Sequence, residues 1–475
     1  LAGIAWVAAI GFFAIQIARQ SNFLSDKIRV VYFWAISLAA ASLGLSAIGR
    51  AATADATLNA LLTFSLLFIW RFFFVPNSRG SGRWASVCIG LGVLTKGPIA
   101  ILIPFVGSLF AAAGFGAMKV QKPGQELSIE HLRQILGAAI GRWLELIKDY
   151  LSWCIFIMIC IPWYLLQFQA QGDAFLEGFF GTHNVGRFVA PMHGFSSGPW
   201  YYPLWIIVAT LPWLPMLARL VFFVFKDPIF RRPDLWMLWG VFFFVLVFFS
   251  ISATKLPHYG FYGLSGLIVL MAFTATLTSS AAVSKAGGDP NRPTFLVDRL
   301  FLAGLFFIVS AIPFWWGLIS EQIADPYYRQ VWDLTEIEFK ANWAWFLFPL
   351  ALGWGLFFLR SRFGLMLAGL LFTVFLHGVV IVSIVEALRG PIYLAAQEIR
   401  KLPTEVVITW RLAAPSLSFY SQRVIRPGVP AQGNIVVIHS KDLSSLKSFL
   451  RQSLNSEPSV ISVWEHGGIQ IVNIK

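Results

Sequence analysis

Charged residues are scarce in this sequence. Asp, Glu, Lys and Arg together make up 12% of its 475 residues, whereas 57% are hydrophobic. The mean hydropathy is +0.71. Ordinary soluble domains carry about 25% charged residues, so this composition excludes a soluble globular protein. Most apolar runs are long enough to cross a hydrocarbon core of about 30 Å as helices. The sequence therefore predicts a polytopic α-helical membrane protein.

Cysteine and acidic residues are also few. Cys88, Cys154 and Cys160 lie inside apolar segments without the spacing of a metal site or a disulfide framework. We interpret them as small hydrophobic residues of the core. Asp and Glu number 23 against 36 Lys and Arg, which gives a net charge of +13. Basic residues beside membrane spans reflect topology and contact with anionic lipid, so this balance does not indicate a nucleic-acid partner.

Hydropathy and basic residues together predict the topology. Twenty Lys and Arg lie on one side of the predicted spans and six on the other, and the remaining ten follow residue 388. The side with twenty is predicted to be cytoplasmic, which places residue 1 and the chain after about residue 388 on the outer side. The twelve predicted spans lie near residues 1–18, 30–48, 57–75, 84–95, 98–115, 149–168, 201–224, 235–252, 260–279, 300–318, 342–359 and 364–386.

Two segments outside the predicted spans have patterns of their own. In the cytoplasmic connection 118–148, the run LRQILGAAIGRWLELIKDY has apolar residues at helical spacing among charged ones. This pattern predicts an interfacial helix on the inner leaflet. From about residue 390, the β-type runs EVVITW, SLSFYS, NIVVIHS and SVISVWEHGGIQIVNIK alternate with helical runs. The sequence thus predicts a membrane domain at 1–388 and a small outer α/β domain at 389–475.

Ionisable residues gather near the outer ends of the spans. Such groups are costly at membrane depth and usually face a cavity, so we interpret the cluster as a functional site. Its members are Asp55, Lys96, Asp173, Glu177, His183, Arg187, His193, Lys255 and His258.

The residue types of this cluster suit phosphate chemistry. Lysine and arginine can hold a phosphate, a carboxylate can deprotonate a hydroxyl, and histidine with a carboxylate can bind a divalent metal. Because nucleotide sugars are absent outside the cytoplasm, an activated donor there would be linked to a lipid phosphate.

Structural interpretations of the same residues stay open at the level of the sequence. Lys96 and Lys255 can extend to lipid headgroups, although the Gly-Pro and Leu-Pro that follow them break the helix and expose backbone donors. Asp55 can cap the helix that begins after it. His183 and His193 fit solvated loop positions, and Tyr202 fits an aromatic belt as well as a sugar platform.

Five blocks of the sequence carry a family resemblance over residues 40–275. They are GRAATADATLNALL, GVLTKGPIAILIP, IPWYLLQFQAQGDAFLEGFFGTHNVGRF, GPWYYPLWIIVATLPWLPM and FFSISATKLPHYGFYGLSGLIVLM. In their order and spacing the chain resembles the bacterial lipid-linked-sugar glycosyltransferases related to lipid A aminoarabinose transferase and, more distantly, to protein O-mannosyltransferases.

The resemblance implies a type C glycosyltransferase fold in the bacterial inner membrane with a periplasmic C-terminal domain. It implies an inverting enzyme that moves a sugar from an undecaprenyl-phosphate-linked donor to an outer acceptor, lipid A or another lipopolysaccharide component. Asp55 is expected to be catalytic and to support the sugar or the acceptor, and His183 is expected to bind a divalent metal. The expected substrate-binding residues are Lys96, Arg187, Lys255, Tyr259, His193 and Tyr202.

The chain departs from the family pattern at its beginning. The family carries a first span followed by an outer loop with an acidic motif, whereas this chain starts with Leu and contains no such motif. We therefore expect a longer protein of thirteen spans, of which this segment is inactive by itself. A carrier or flippase for a lipid-linked sugar is the alternative function, because it too needs many spans and buried charges.

Overall fold

The computed structural model describes residues 1–21, 23–120, 128–186, 189, 198–285, 295–359, 361–403, 406–454 and 459–475. Its α-helices are α1 (Ala2–Gln20), α2 (Ser25–Ala41), α3 (Leu43–Arg50), α4 (Asp55–Phe74), α5 (Ser81–Lys96), α6 (Ile99–Val120), α7 (Ile129–Ile147), α8 (Tyr150–Gln171), α9 (Asp173–Leu176), α10 (Tyr201–Ala209), α11 (Leu214–Lys226), α12 (Trp236–Ile251), α13 (Leu264–Lys285), α14 (Leu296–Ser310), α15 (Ile312–Trp315), α16 (Pro326–Ala341), α17 (Leu347–Phe358), α18 (Arg362–Phe375), α19 (Ile381–Lys401), α20 (Ser416–Ser421) and α21 (Leu443–Leu454).

Shorter helical segments join several of these helices. The π-helical segments are Glu177–Gly186 and Leu376–Val380, and the 3₁₀ segments are Pro228–Arg231, Pro233–Leu235, Pro257–Gly263, Trp316–Gln322, Trp343–Phe346 and Ser440–Asp442.

The apolar helices confirm a multi-pass membrane protein. Among the described residues, seven helical segments are long and apolar enough to cross a membrane, or eleven if each of four bent helix pairs is one span. The pair α10 and α11 is bent by 118°, and Pro212, which cannot donate a backbone hydrogen bond, lies in that break. Helix α5 occupies the position of the predicted span 84–95 with only 16 residues. The total of twelve spans stays a prediction.

The described chain forms two compact units. The first contains Leu1–Leu302 and Leu356–Thr373, and the second contains Ala303–Gly355 and Val374–Lys475. In the first unit α13 is buried on nearly every side, since Ile268, Val269, Leu270 and Met271 are all without solvent exposure. A helix that is apolar all round belongs in the centre of a bundle, and α13 occupies that position.

One cysteine departs from its sequence interpretation. Cys88 and Cys160 are buried as expected, whereas Cys154 is exposed. Cys154 lies on α8, whose residues Trp153 and Met158 are exposed by 50% and 69%. Because most of α8 faces away from the bundle, an apolar segment there does not imply a core position.

The predicted helix of the cytoplasmic connection is present as α7. Ser128 caps its first turn, with its hydroxyl accepting from the His131 backbone and the His131 ring accepting from the Ser128 backbone. Leu132, Leu136 and Ile140 recur every four residues and are more than half exposed, which places them on one face. This stripe supports the membrane-surface position, which itself stays a prediction.

The C-terminal region contains the predicted small α/β fold. A five-stranded sheet has the order β2-β1-β3-β5-β4. The β1–β2 and β1–β3 pairs are parallel, and the β3–β5 and β4–β5 pairs are antiparallel. The strands are β1 (Val407–Thr409), β2 (Arg426–Pro427), β3 (Ile435–His439), β4 (Val460–His466) and β5 (Ile469–Ile474).

The run SLSFYS was expected to be β-type, and that expectation is wrong. It forms helix α20. Leu417 and Ser421 are buried while Phe419 between them is 71% exposed, so burial repeats after one helical turn. The boundary predicted between residues 388 and 389 falls within the continuous helix α19 and stays a prediction.

Candidate functional site

An ion pair between two helix ends forms the centre of the site. Asp55 is the first residue of α4 and Lys96 the last of α5, and the Lys96 ammonium donates to Asp55 Oδ1. A carboxylate at a helix N-terminus and an ammonium at a C-terminus both interact favourably with the helix dipoles. The Asp55 side chain is 6% exposed and that of Lys96 24%. The carboxylate is therefore enclosed while the ammonium keeps access to the space outside.

Gly97 explains how the chain turns directly after Lys96. Its φ is +85°, and a Cβ at this position would lie 2.8 Å from the Phe179 ring. Only glycine adopts such a conformation at low cost. Pro98 follows, and α6 begins at Ile99. The helix break predicted from the Gly-Pro pair is thus present, and it leaves Lys96 at the end of its helix.

A 3₁₀ segment, Pro257–Gly263, supplies three further side chains around the carboxylate. In such a helix residues three apart lie on the same side, which brings Tyr259 and Tyr262 together. The Tyr262 hydroxyl donates to Asp55 Oδ1 at 3.1 Å, and His258 Nε2 lies 3.9 Å from the same oxygen. Lys96 Nζ lies 5.5 Å from the ring centre of Tyr259 and 5.8 Å from that of Tyr262. Both rings are within the range of cation–π attraction.

Tyr202 and Lys255 shape the approach to this segment. The fully buried Tyr202 donates its hydroxyl to the Leu256 carbonyl at 3.1 Å, so it fixes the backbone beside Lys255. Its ring also packs against the position of Gly260, where a Cβ would lie 3.0 Å from the ring. Lys255 Nζ donates to the Ser252 carbonyl at 2.8 Å. Tyr202 therefore supports the segment from behind.

A buried polar chain continues from Asp55 into the bundle. Asn59 donates to the Asp55 carbonyl at 2.9 Å, and Thr63 donates to the Asn59 carbonyl at 2.7 Å. Ser265 on α13 lies 2.7 Å from the Thr63 hydroxyl and accepts from the Trp6 indole at 2.8 Å. Buried polar groups that are satisfied in this way order the elements that carry them. These hydrogen bonds fix the start of α4 against α13 and α1.

Three of the predicted site residues are not placed by the structure. Arg187 and His193 lie outside the described residues, and for His183 only the backbone is described. Within the described part of the chain, no group of three or more His, Cys, Asp or Glu residues is arranged to hold a metal ion. The roles predicted for these three residues stay predictions.

Tyr262 and Asn59 are the participants that sequence reasoning missed. Tyr262 follows Tyr259 by three residues in a glycine-rich stretch after Pro257. That spacing is the available signal, because a short 3₁₀ turn after proline places both rings on one side. Asn59 has the i+4 spacing from Asp55 that a helix requires, but nothing in the sequence separates it from an ordinary helical asparagine.

Known proteins resemble the chain in sequence and fold. No family model matches. The chain is 26% identical over 232 residues to the undecaprenyl phosphate-α-4-amino-4-deoxy-L-arabinose arabinosyl transferase of Yersinia enterocolitica, and 26% identical over 265 residues to that of Serratia proteamaculans. These alignments cover 48% and 55% of this chain. They span only 37% and 41% of the two relatives.

Crystal structures of ArnT from Cupriavidus metallidurans match over nearly the whole chain. The structure bound to undecaprenyl phosphate has a TM-score of 0.66 and the apo structure one of 0.65, each at 17% identity. Each covers 99% of this chain, and this chain covers 83% and 82% of theirs. These structures confirm the predicted helical membrane fold with a small C-terminal α/β domain, and the sequence relatives confirm the resemblance to aminoarabinose transferases.

Proposed function

We propose that this chain, which has the fold of ArnT, is part of an inverting glycosyltransferase that uses an undecaprenyl-phosphate-linked sugar. The supporting observation is the enclosed Asp55–Lys96 pair with Tyr262, His258 and Tyr259 around it. The chain is also similar to enzymes that are named as arabinosyl transferases with an undecaprenyl-phosphate-linked donor, which agrees with this proposal. The proposed acceptor is a periplasmic lipid or glycan, with lipid A the first candidate.

In the proposed reaction, an ionised phosphate oxygen of the acceptor, which has no proton to lose, attacks the anomeric carbon from the face opposite the donor phosphate. The bond between that carbon and the phosphate oxygen breaks, and undecaprenyl phosphate leaves with the electron pair. Phosphate is already a good leaving group, so the site needs cations near the departing charge more than it needs a general acid. Lys96, Lys255 and Arg187 are the proposed cations.

Asp55 fits a positioning role in this scheme better than that of a free base. Its Oδ1 atom already accepts from Lys96 and Tyr262 and lies near His258. The carboxylate therefore holds the ammonium at the end of α5, where the ammonium can meet a phosphate. Tyr259, beside the ammonium, is proposed to orient the lipid phosphate, and His193 to contribute to the substrate pocket. The substrate-binding role expected for Tyr202 becomes a supporting one, since this residue is fully buried and donates to the Leu256 carbonyl.

The proposed location is the bacterial inner membrane, with the C-terminal sheet in the periplasm. The supporting observation is the twenty-to-six distribution of basic residues between the two sides, which orients the spans. A divalent metal at His183 belongs to the same proposal. One imidazole is a suitable ligand for such an ion, and no step of the proposed reaction depends on it.

Transfer of radiolabelled sugar from purified undecaprenyl-phosphate donor to lipid A tests this function. With the full-length protein reconstituted in vesicles, Lys96→Ala and Lys255→Ala are expected to lower transfer at least about tenfold, because each removes a preorganised cation. Lys119→Ala, on the opposite side of the bundle, is the matched control and should transfer normally. Transfer at the wild-type rate by both site variants would refute the assignment. Movement of labelled donor across the vesicle without a new glycosidic bond would favour the carrier.

A further inference from the structure

A narrow apolar groove lies in the first unit, and none of its lining residues belongs to the Asp55 site. It has a volume of about 170 Å³ and lies between α4, α5, α6, α7 and α8. Among its lining residues are Ala85, Ile89, Pro104, Phe105, Trp153 and Phe156. Phe105 and Trp153 are 45% and 50% exposed, so the groove is open at the outer surface of the bundle.

A polar cavity lies directly beside this groove. Arg79, Arg83, Glu145, Lys148 and Asp149 line it. Asp149 connects the two spaces, since it accepts from Arg83 at 3.1 Å and from Ser152 at 2.8 Å, and Ser152 lines the apolar groove. The apolar and polar parts thus meet at the shared start of α8, as the chain and headgroup of one lipid require.

The polar cavity carries excess positive charge. Its lining carries three basic side chains, those of Arg79, Arg83 and Lys148, against two carboxylates, Glu145 and Asp149. Arg83 is paired with Asp149, and Arg142 with Glu145. Arg79 also lies 3.5 Å from Glu145, but its side chain is 79% exposed. Lys148 has no ion-pair partner in the described part of the chain. Lys148 is therefore available to an anion, and Arg79 can reach one from an exposed ion pair.

We propose that this place binds one anionic phospholipid, with part of an acyl chain in the groove and the phosphate at Arg79, Arg83 and Lys148. Charge complementarity selects an anionic headgroup, because each basic group near the membrane surface attracts such lipids. The apolar groove favours a lipid over a free phosphate ion, since it offers burial to a hydrocarbon chain. Trp153 at the mouth has the amphipathic ring that suits the headgroup boundary.

Native mass spectrometry of the detergent-solubilised protein tests the proposal with phosphatidylglycerol as the probe. Arg79→Gln/Arg83→Gln/Lys148→Gln is expected to weaken phosphatidylglycerol binding by about tenfold or more. The matched control, Lys119→Gln/Arg133→Gln/Lys226→Gln, removes the same charge from exposed positions elsewhere and should bind as the wild type does. Ser86→Phe fills the groove and should also release the lipid, whereas Ser86→Ala should not.

Each outcome decides one part of the proposal. Unchanged phosphatidylglycerol binding by the rim triple variant refutes the headgroup site, and unchanged binding by Ser86→Phe refutes the acyl-chain groove. If these variants do not fold, competition on the wild-type protein remains informative. Phosphatidylglycerol must then displace phosphatidylcholine, and equal binding of the two lipids would overturn the anionic preference. Displacement of phosphatidylglycerol by undecaprenyl phosphate at lower concentration would assign the groove to the donor instead.

Discussion

Asp55 is a buried carboxylate whose surroundings determine its role. It lies at the start of a helix, accepts hydrogen bonds from Lys96 and Tyr262, and has its own carbonyl held by Asn59. A buried ion pair adds little net stability, because desolvation offsets most of the attraction, but the loss of one partner leaves an uncompensated charge. The pair is thus expected to be sensitive to single substitutions and more tolerant of double ones.

Substitution of the ion pair tests this expectation. Lys96→Met leaves the Asp55 carboxylate without its cation and should destabilise the protein by about 3–5 kcal/mol. The double variant Asp55→Asn/Lys96→Met should be less destabilised than Lys96→Met alone. The measurement is thermal unfolding of the detergent-purified protein. Additive losses in the double variant would show that the two side chains do not interact.

Tyr262 offers a second test at the residue scale. Tyr262→Phe removes the hydroxyl that donates to Asp55 Oδ1 and should lower stability by about 1–2 kcal/mol, because a buried acceptor loses a donor. Transfer activity should fall with it, since the carboxylate positions Lys96. Tyr201→Phe is the matched control, for the Tyr201 hydroxyl makes no hydrogen bond to the described residues. Equal stability and activity in the two variants would contradict the role of Tyr262.

At the scale of the element, the ends of helices determine where the side chains of the site lie. Helix α5 ends at Lys96 because Gly97 has a positive φ and Pro98 follows. The segment Pro257–Gly263 brings Tyr259 and Tyr262 to one side because a 3₁₀ helix repeats every three residues. Helix α7 also depends on its end, where Ser128 and His131 form a reciprocal cap.

Removal of that cap should loosen the beginning of α7. Ser128→Ala is expected to cost about 0.5–2 kcal/mol of local stability, since backbone donors of the first turn lose their acceptor. Hydrogen–deuterium exchange of peptides covering Ile129–Ile147 measures the effect, with faster exchange expected in the first turn. Ser128→Asp keeps an acceptor at the cap and should exchange as the wild type does. No difference between the two variants would argue against the cap.

At the scale of the whole molecule, each compact unit has its own polar ties. In the second unit Lys441 donates to Asp325 at 2.7 Å, which joins the C-terminal sheet region to the start of α16. The Lys441 hydrogen bond lowers the pKa of Asp325, and the same bond raises the pKa of Lys441. Both side chains are 36% exposed, so the pair is worth at most about 1 kcal/mol.

This tie should weaken at the extremes of pH. Because the pKa of Asp325 is lowered, its contribution to the stability of the fold is complete above pH 3.8. This contribution is lost as the pH falls through the pKa of the folded state. Because the pKa of Lys441 is raised, its contribution to stability is complete below pH 10.5. This contribution is lost as the pH rises through the pKa of the folded state. The thermal unfolding midpoints of the wild type and of Asp325→Asn should therefore differ by a small, constant amount near neutral pH. The two midpoints should converge in strong acid. A difference that peaks in acid would contradict the pairing.

The sequence by itself determined the class of the protein and the region of its site. Scarce charge and long apolar runs require a helical membrane protein, because the backbone must satisfy its own hydrogen bonds in lipid. Charges near the outer span ends pointed to Asp55, Lys96 and Lys255, whereas Tyr259 came only from the family resemblance. The Gly-Pro pair predicted the helix end at Lys96. These inferences rest on local composition and spacing, which the sequence contains directly.

Only the tertiary structure decided which of those residues meet. Asp55 and Lys96 are 41 residues apart, and Asp55 and Tyr262 are 207 apart, so their contact depends on how α4, α5 and the Pro257–Gly263 segment pack. No periodic pattern in the local sequence predicts a contact between residues so far apart in the chain. The same cause explains the helix at SLSFYS and the exposure of Cys154, since burial is set by neighbours in space. Packing in three dimensions, rather than residue type, selected the partners of each charge.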